Sequence, residues 1–214
     1  MNRNLTFFIV LISVSLISII YFSILASREV KFILIPLSIV TLFYSFPFLK
    51  YNSNLIFKLR EIPYLKIFII SLIWSIVTVV IPVIRAETHI EASKIMLIMI
   101  ERFLFIFAIT IPFDIRDIET DKKAGMRTIP ILLNEKKSIT ISNLVIGVFL
   151  IITTIHFIEY KILSLFIALV ISGLSTLYIL NSTKIKQLKY YHFGILDGTM
   201  ILQFILIYLF YTYF

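Results

Sequence analysis

Seven long apolar runs, parted by short polar joins, set the rhythm of this 214-residue chain. They fall at about 5–26, 32–49, 67–84, 95–113, 138–158, 162–180 and 192–213. Each is near the ~20 residues that carry a helix across a ~30 Å hydrocarbon core. Lipid offers backbone groups no partner, so runs of this kind close their own hydrogen bonds as helices. The pattern therefore predicts an all-α fold, a polytopic transmembrane bundle of about seven helices. The joins are Ala26–Lys31, Lys50–Lys66, Arg85–Lys94, Asp114–Lys137, Glu159–Lys161 and Asn181–Tyr191. No repeat or low-complexity tract interrupts the series, so residues 1–214 read as a single transmembrane domain. The first run is too long for the apolar core of a signal peptide and is followed by no small-x-small cleavage site, so it reads as a retained span.

Composition agrees with the pattern. The chain is 60% hydrophobic and 15% charged, more apolar surface than a soluble domain of this length can hide. Twenty Phe and eleven Tyr suit lipid-facing and interfacial positions. The absence of Cys excludes disulfides, thiolate metal sites and a cysteine nucleophile. A net charge of +8 would suggest a nucleic-acid partner in a soluble protein. Here the basic residues sit in the joins, where they act as orientation signals, and no nucleic-acid binding is expected. One side carries Arg3, Lys50, Lys58, Arg60, Lys66, Arg116, Lys122, Lys123, Arg127, Lys136, Lys137, Lys184, Lys186 and Lys189. The other carries Arg28, Lys31, Arg85, Lys94 and Lys161. Fourteen against five places the N-terminus and the 114–137 loop in the cytoplasm of a multi-pass protein of the cell (inner) membrane.

Three of the chain's four aspartates lie together in Asp114–Pro130, DIRDIETDKKAGMRTIP. At about 100° per residue, offsets of three and seven bring Asp114, Asp117 and Asp121 onto one helical face. Clustered carboxylates raise one another's pKa unless a cation lies among them. Hard oxygen ligands suit Mg²⁺, which binds one or two carboxylates beside phosphate oxygens. Lys122, Lys123 and Arg127 are placed to hold the remaining charge of a polyphosphate. The same stretch also reads as a charged, solvated loop between two spans.

Other charges fall within spans. Glu101 and Arg102 lie toward the non-cytoplasmic end of the fourth, where Arg102 is expected to snorkel and Glu101 to pair with a neighbour. His156 lies at a span end and reads as interfacial. Asp197, a turn and a half into the last run, lies at the depth of the aspartate stretch. It reads either as part of a helix contact with Gly194 and Gly198 or as a residue supporting the site from behind.

The block Asp114–Pro130 resembles the second aspartate-rich motif of the UbiA superfamily of intramembrane prenyltransferases, D-x-x-D-x-x-x-D with a basic residue, a glycine and Thr–apolar–Pro after it. The matching residues are Asp114, Asp117, Asp121, Lys122, Gly125, Thr128 and Pro130. FLFIFAITIPFDIRD resembles the helix entering that motif, and LFYSFPFLKYNSNLIFKLREIPYLKIFIISLIW resembles the family's middle helices. The family's first motif, N-D-x-x-D, has no counterpart, since no aspartate precedes Asp114, and residue 1 aligns with the start of the third helix. Its Tyr-x-x-x-Lys element is echoed only by Tyr44 and Lys50, at another spacing.

The resemblance implies transfer of a polyprenyl group from a prenyl diphosphate to an acceptor. It implies Mg²⁺ on Asp114, Asp117 and Asp121, and Lys50, Lys122, Lys123 and Arg127 on the diphosphate. The missing motif leaves two expectations open. One is an active prenyltransferase, alone or with a helper membrane protein supplying the missing helices. The other is a non-catalytic membrane protein that binds isoprenoid diphosphate or assembles with a partner.

Overall fold

The computed structural model describes residues 3–45, 49–51, 55–57, 64–86 and 90–213, and the side chains of 6–44, 64–86 and 90–213. Contacts divide the chain into two compact units, Met1–Leu42 and Phe43–Phe214. In the first, α1 (Arg3–Leu25) exposes apolar side chains around its whole circumference, among them Phe8, Ile12, Ile17 and Phe22. A helix hydrophobic on every side belongs in lipid or in a buried interior. Ser27 follows, and its hydroxyl accepts from the Val30 amide at 3.4 Å to cap the helix α2 (Arg28–Ser45).

The second unit is a helical bundle. Two three-residue strands, β1 (Leu49–Tyr51) and β2 (Leu55–Phe57), pair antiparallel with Lys50 opposite Ile56. Then come α3 (Leu65–Arg85), α4 (Ala92–Arg116), the short α5 (Ile118–Lys123) and α6 (Ile129–Leu133), and α7 (Glu135–Tyr160). α8 (Leu163–Asn181), the single turn α9 (Thr183–Lys186) and α10 (Tyr191–Tyr213) complete it. α4 packs on both α3 and α7; α8 packs on both α7 and α10. Phe105, Ala108 and Ile109 of α4 meet Ile146 and Phe149 of α7, Leu169 and Leu180 of α8, and Tyr191 and Leu196 of α10 in one core.

Small and hydroxylated residues fill the tightest helix contacts, as in membrane interiors, where close backbone approach replaces a hydrophobic driving force. Ser71, Ser75, Ser138, Ser142, Ser172 and Thr176 are fully buried. Ser71, Ser75 and Thr176 donate to the carbonyl one turn back in their own helices at 2.6–2.9 Å. Ser142 does something different. Pro112 lacks the N–H that would bond the Ala108 carbonyl inside α4, and the Ser142 hydroxyl of α7 donates to that carbonyl at 2.8 Å. The neighbouring helix thus supplies the donor that proline removes.

Among the described residues six helices are long and apolar enough to cross a membrane: α1, α3, α4, α7, α8 and α10. The chain is an all-α polytopic bundle, and the runs expected for these six lie within a few residues of the helices. α2 differs. It begins at Arg28, so its eighteen residues include Arg28, Glu29 and Lys31, and it ends at Ser45, two residues before Pro47. The β1–β2 pairing in the join between 50 and 66 was not expected; its strands flank Asn52–Asn54, a turn-forming composition.

The charges within α4 are more deeply held than the sequence suggests. Glu101 is buried and contacts Nδ1 of His156 on α7 at 3.0 Å, so His156 is a core partner rather than an interfacial residue. Arg102 does not snorkel: its Nη1 donates to the side-chain carbonyl of the buried Gln203 on α10.

Candidate functional site

The aspartate stretch begins in the last turn of α4. The helix stops at Asp117 (φ −91°, ψ 5°), and α5 continues with the Asp121 amide donating to the Asp117 carbonyl at 2.8 Å. α5 is closed by Gly125 at φ 71°, a left-handed position that suits glycine. There the Met126 amide bonds the Asp121 carbonyl at 2.9 Å and the Gly125 amide bonds the Lys122 carbonyl at 3.0 Å. The chain then turns through buried Thr128 into α6, where Pro130 takes an early helical position that asks for no N–H. Ile129 locks into a small core with Ile67 of α3 and Ile111 of α4, anchoring the far end of the motif beside its start. Asn134, also left-handed at φ 73°, accepts from the Lys137 amide at 3.1 Å and opens α7.

The result is a paired arrangement. Asp114 is 1% and Asp121 3% exposed, and both meet one lysine from the first turn of α3. Lys66 Nζ lies 2.7 Å from Asp114 Oδ1, close enough for an ion pair though off the line of a hydrogen bond. It donates to Asp121 Oδ2 at 3.4 Å. Tyr44 lies within electrostatic reach of the same ammonium. Because α3 and α4 are packed neighbours running in opposite senses, the first turn of one meets the last turn of the other.

Asp117 leaves this pair. The end of α4 turns its carboxylate to Arg116, whose Nε and Nη2 donate to Oδ1 and Oδ2 at 2.7 and 2.9 Å. That bidentate hydrogen bond holds Asp117 below the usual aspartate range. Arg116 also covers the rings of Phe113 at 5.3 Å and Phe193 at 4.8 Å, and lies within electrostatic reach of Asp197. His192, stacked edge-on against Phe113 at 5.7 Å, senses both Arg116 and Asp117. The seven-residue offset therefore brings two aspartates together, while the three-residue offset diverges at the helix end.

Lys122, Lys123 and Arg127 are exposed, and Lys122 makes only a loose contact with Glu119 at 3.9 Å. The Lys50 side chain lies outside the described residues. Two cavities of about 490 Å³ flank the motif. One is lined by Pro112, Ile115, Tyr191 and His192 with the start of α7 and the ends of α8 and α9. The other is lined by Ile118, Glu119 and Lys122 with α6. Asp114, Asp117 and Asp121 line neither. Lys66 was counted among the orientation lysines by sequence reasoning. The signal available was a lysine in the first turn of a span, at the same depth as aspartates in the last turn of the next.

These carboxylates have the donor chemistry for Mg²⁺, and each already has a basic partner: Lys66 is shared by two of them and Arg116 holds the third. Among the described residues no three acidic or histidine side chains gather as metal ligands.

An all-α membrane bundle with an ion-paired aspartate cluster at the end of a span defines the class. The chain belongs to the UbiA prenyltransferase family, whose model matches residues 2–191. No curated protein and no solved structure matches it.

Proposed function

We propose that this chain transfers a polyprenyl group from a prenyl diphosphate to an acceptor, with the Asp114–Lys66–Asp121 cluster at the diphosphate end. The observation that carries the proposal is that cluster. Two almost fully buried carboxylates at the end of a span are costly to maintain. They fall within the stretch that resembles the family's second aspartate-rich motif. In the reaction the bond between prenyl C1 and the diphosphate oxygen breaks, the diphosphate leaves with the electron pair, and the acceptor bonds to C1 as it loses a proton. Binding the prenyl diphosphate and stabilising its leaving charge fall to the basic residues. Lys66 lies within the cluster, and Lys122, Lys123 and Arg127, with Lys50, extend positive charge along the cytoplasmic side. Mg²⁺, held by Asp114 and Asp121, would supply further neutralisation of the diphosphate, with Asp117 remaining on Arg116. In this reading the N-terminus and the 114–137 loop face the cytoplasm.

A second reading, binding of isoprenoid diphosphate without turnover, is favoured by one observation: the three aspartates line neither flanking cavity. In that reading a second membrane protein completes the site.

The test is the purified chain titrated with geranylgeranyl diphosphate in Mg²⁺ and then in EDTA, followed by an assay for release of diphosphate. Binding is expected in Mg²⁺ alone. Asp121→Asn is expected to weaken it on the order of 10–100-fold. Glu119→Gln, on the exposed face of the same short helix, is expected to leave it unchanged. Equal binding in both conditions, or equal loss from the two substitutions, would refute the diphosphate site. Binding without diphosphate release would select the second reading.

A further inference from the structure

We propose that Lys66 is the resting counter-ion of the Asp114–Asp121 pair and makes divalent-cation binding conditional on an anionic ligand. The inference rests on the diphosphate reading above and deepens it. Lys66 Nζ touches both carboxylates, at 2.7 and 3.4 Å, and both are almost wholly removed from water. With one positive and two negative groups, the trio carries a net charge of −1. A divalent cation alone would turn that into +1 and set itself against an ammonium in a poorly screened site.

A diphosphate changes the balance. Its oxygens supply new negative charge and give the Lys66 ammonium another partner, so the carboxylates become available without leaving any charge unpaired. Lys66 sits on a flexible stem of four carbons and retains 19% exposure, so it has a way out of the pair. The coupling is reciprocal by thermodynamic necessity: whatever the anion adds to cation affinity, the cation adds to anion affinity. The arrangement therefore keeps the site from trapping free divalent ions and reserves it for a cation arriving with diphosphate. Asp117, clamped by Arg116, stands outside the exchange.

The experiment is binding of Mn²⁺, which shares the preference for carboxylate oxygen and is counted by its paramagnetic signal, to the full purified chain without any diphosphate. The native chain is expected to bind it weakly. Lys66→Met and Lys66→Gln are expected to bind it about tenfold tighter or better, the scale on which partners of metal-binding side chains tune affinity. Glutamine keeps length and polarity, so a folded variant remains if methionine disrupts the helix end. Adding Asp121→Asn to Lys66→Gln is expected to return the affinity to the native level. Lys66 variants that bind Mn²⁺ no tighter than the native chain would overturn the proposal, as would a gain that survives loss of Asp121. A native chain that fails to bind geranylgeranyl diphosphate in Mg²⁺ would instead overturn the diphosphate reading, and this outcome is measured independently of the Mn²⁺ titration.

Discussion

Asp117 and Arg116 are adjacent in sequence, yet their pairing shapes the whole motif, because it takes one carboxylate out of a group of three. Asp117 has its pKa depressed by the Arg116 hydrogen bonds, so its folded value lies below the ~3.9 of an unfolded aspartate. A group depressed in this way contributes stability that is fully present above the unfolded value and is lost as pH falls through the folded one. The difference in thermal midpoint between the native chain and Asp117→Asn in detergent should therefore be constant from about pH 7 to 5 and shrink below about pH 4. A difference that grows on acidification would contradict the pairing. Gly125, at φ 71°, makes a second residue-scale prediction. Alanine there should cost about 1–2 kcal/mol in a denaturation midpoint, since a Cβ is disfavoured in the left-handed region. Both the aspartates and this glycine were legible as a motif. What the spacing could not show was where α4 ends, and that end decides which aspartate leaves the group. Nor could it assign Lys66, whose partners lie 48 and 55 positions further along the chain.

Among the elements, α4 is the one everything else is measured against, and its two irregular features are answered by other helices. The carbonyl freed by Pro112 is met by Ser142, and the buried Glu101 is met by His156. Ser142→Ala should leave the Ala108 carbonyl unpaired in the bundle interior, at a cost of about 1–3 kcal/mol in a denaturation midpoint. Ser175→Ala, where the hydroxyl bonds its own helix at 2.8 Å, should cost much less. Equal effects would mean that the α4–α7 contact does not depend on this bond. The spans themselves were readable because an apolar run long enough to cross lipid has one economical solution, the helix. The partners of Pro112 and Glu101 were not, because helix order and rotation are set by packing between elements and not by periodicity within one. α2 shows the limit of the hydropathic reading: its charges lie in the helix itself, so length and composition disagree about it.

At the scale of the whole molecule, the helix directions and the charge bias make one joint claim. α3 and α4 bring Lys66 and Asp114 to the same end, and α7, α8 and α10 alternate after them. Lys123 and Lys189 must then lie on one side of the membrane and Lys161, in the short turn between α7 and α8, on the other. In the topology proposed above, the side of Lys123, which carries the excess of Lys and Arg, is the cytoplasmic one. The chain contains no cysteine, so single substitutions give an unambiguous reading of each side. In intact cells a membrane-impermeant maleimide should label Lys161→Cys and leave Lys123→Cys and Lys189→Cys unlabelled until the membrane is opened. Lys161, left-handed at φ 57° and ending α7, tolerates the change at modest cost because it lies in a turn. Labelling of Lys123→Cys but not Lys161→Cys would invert the topology, and labelling of all three from outside would break the alternation of the helices. An inverted topology would turn the proposed diphosphate site away from the cytoplasm.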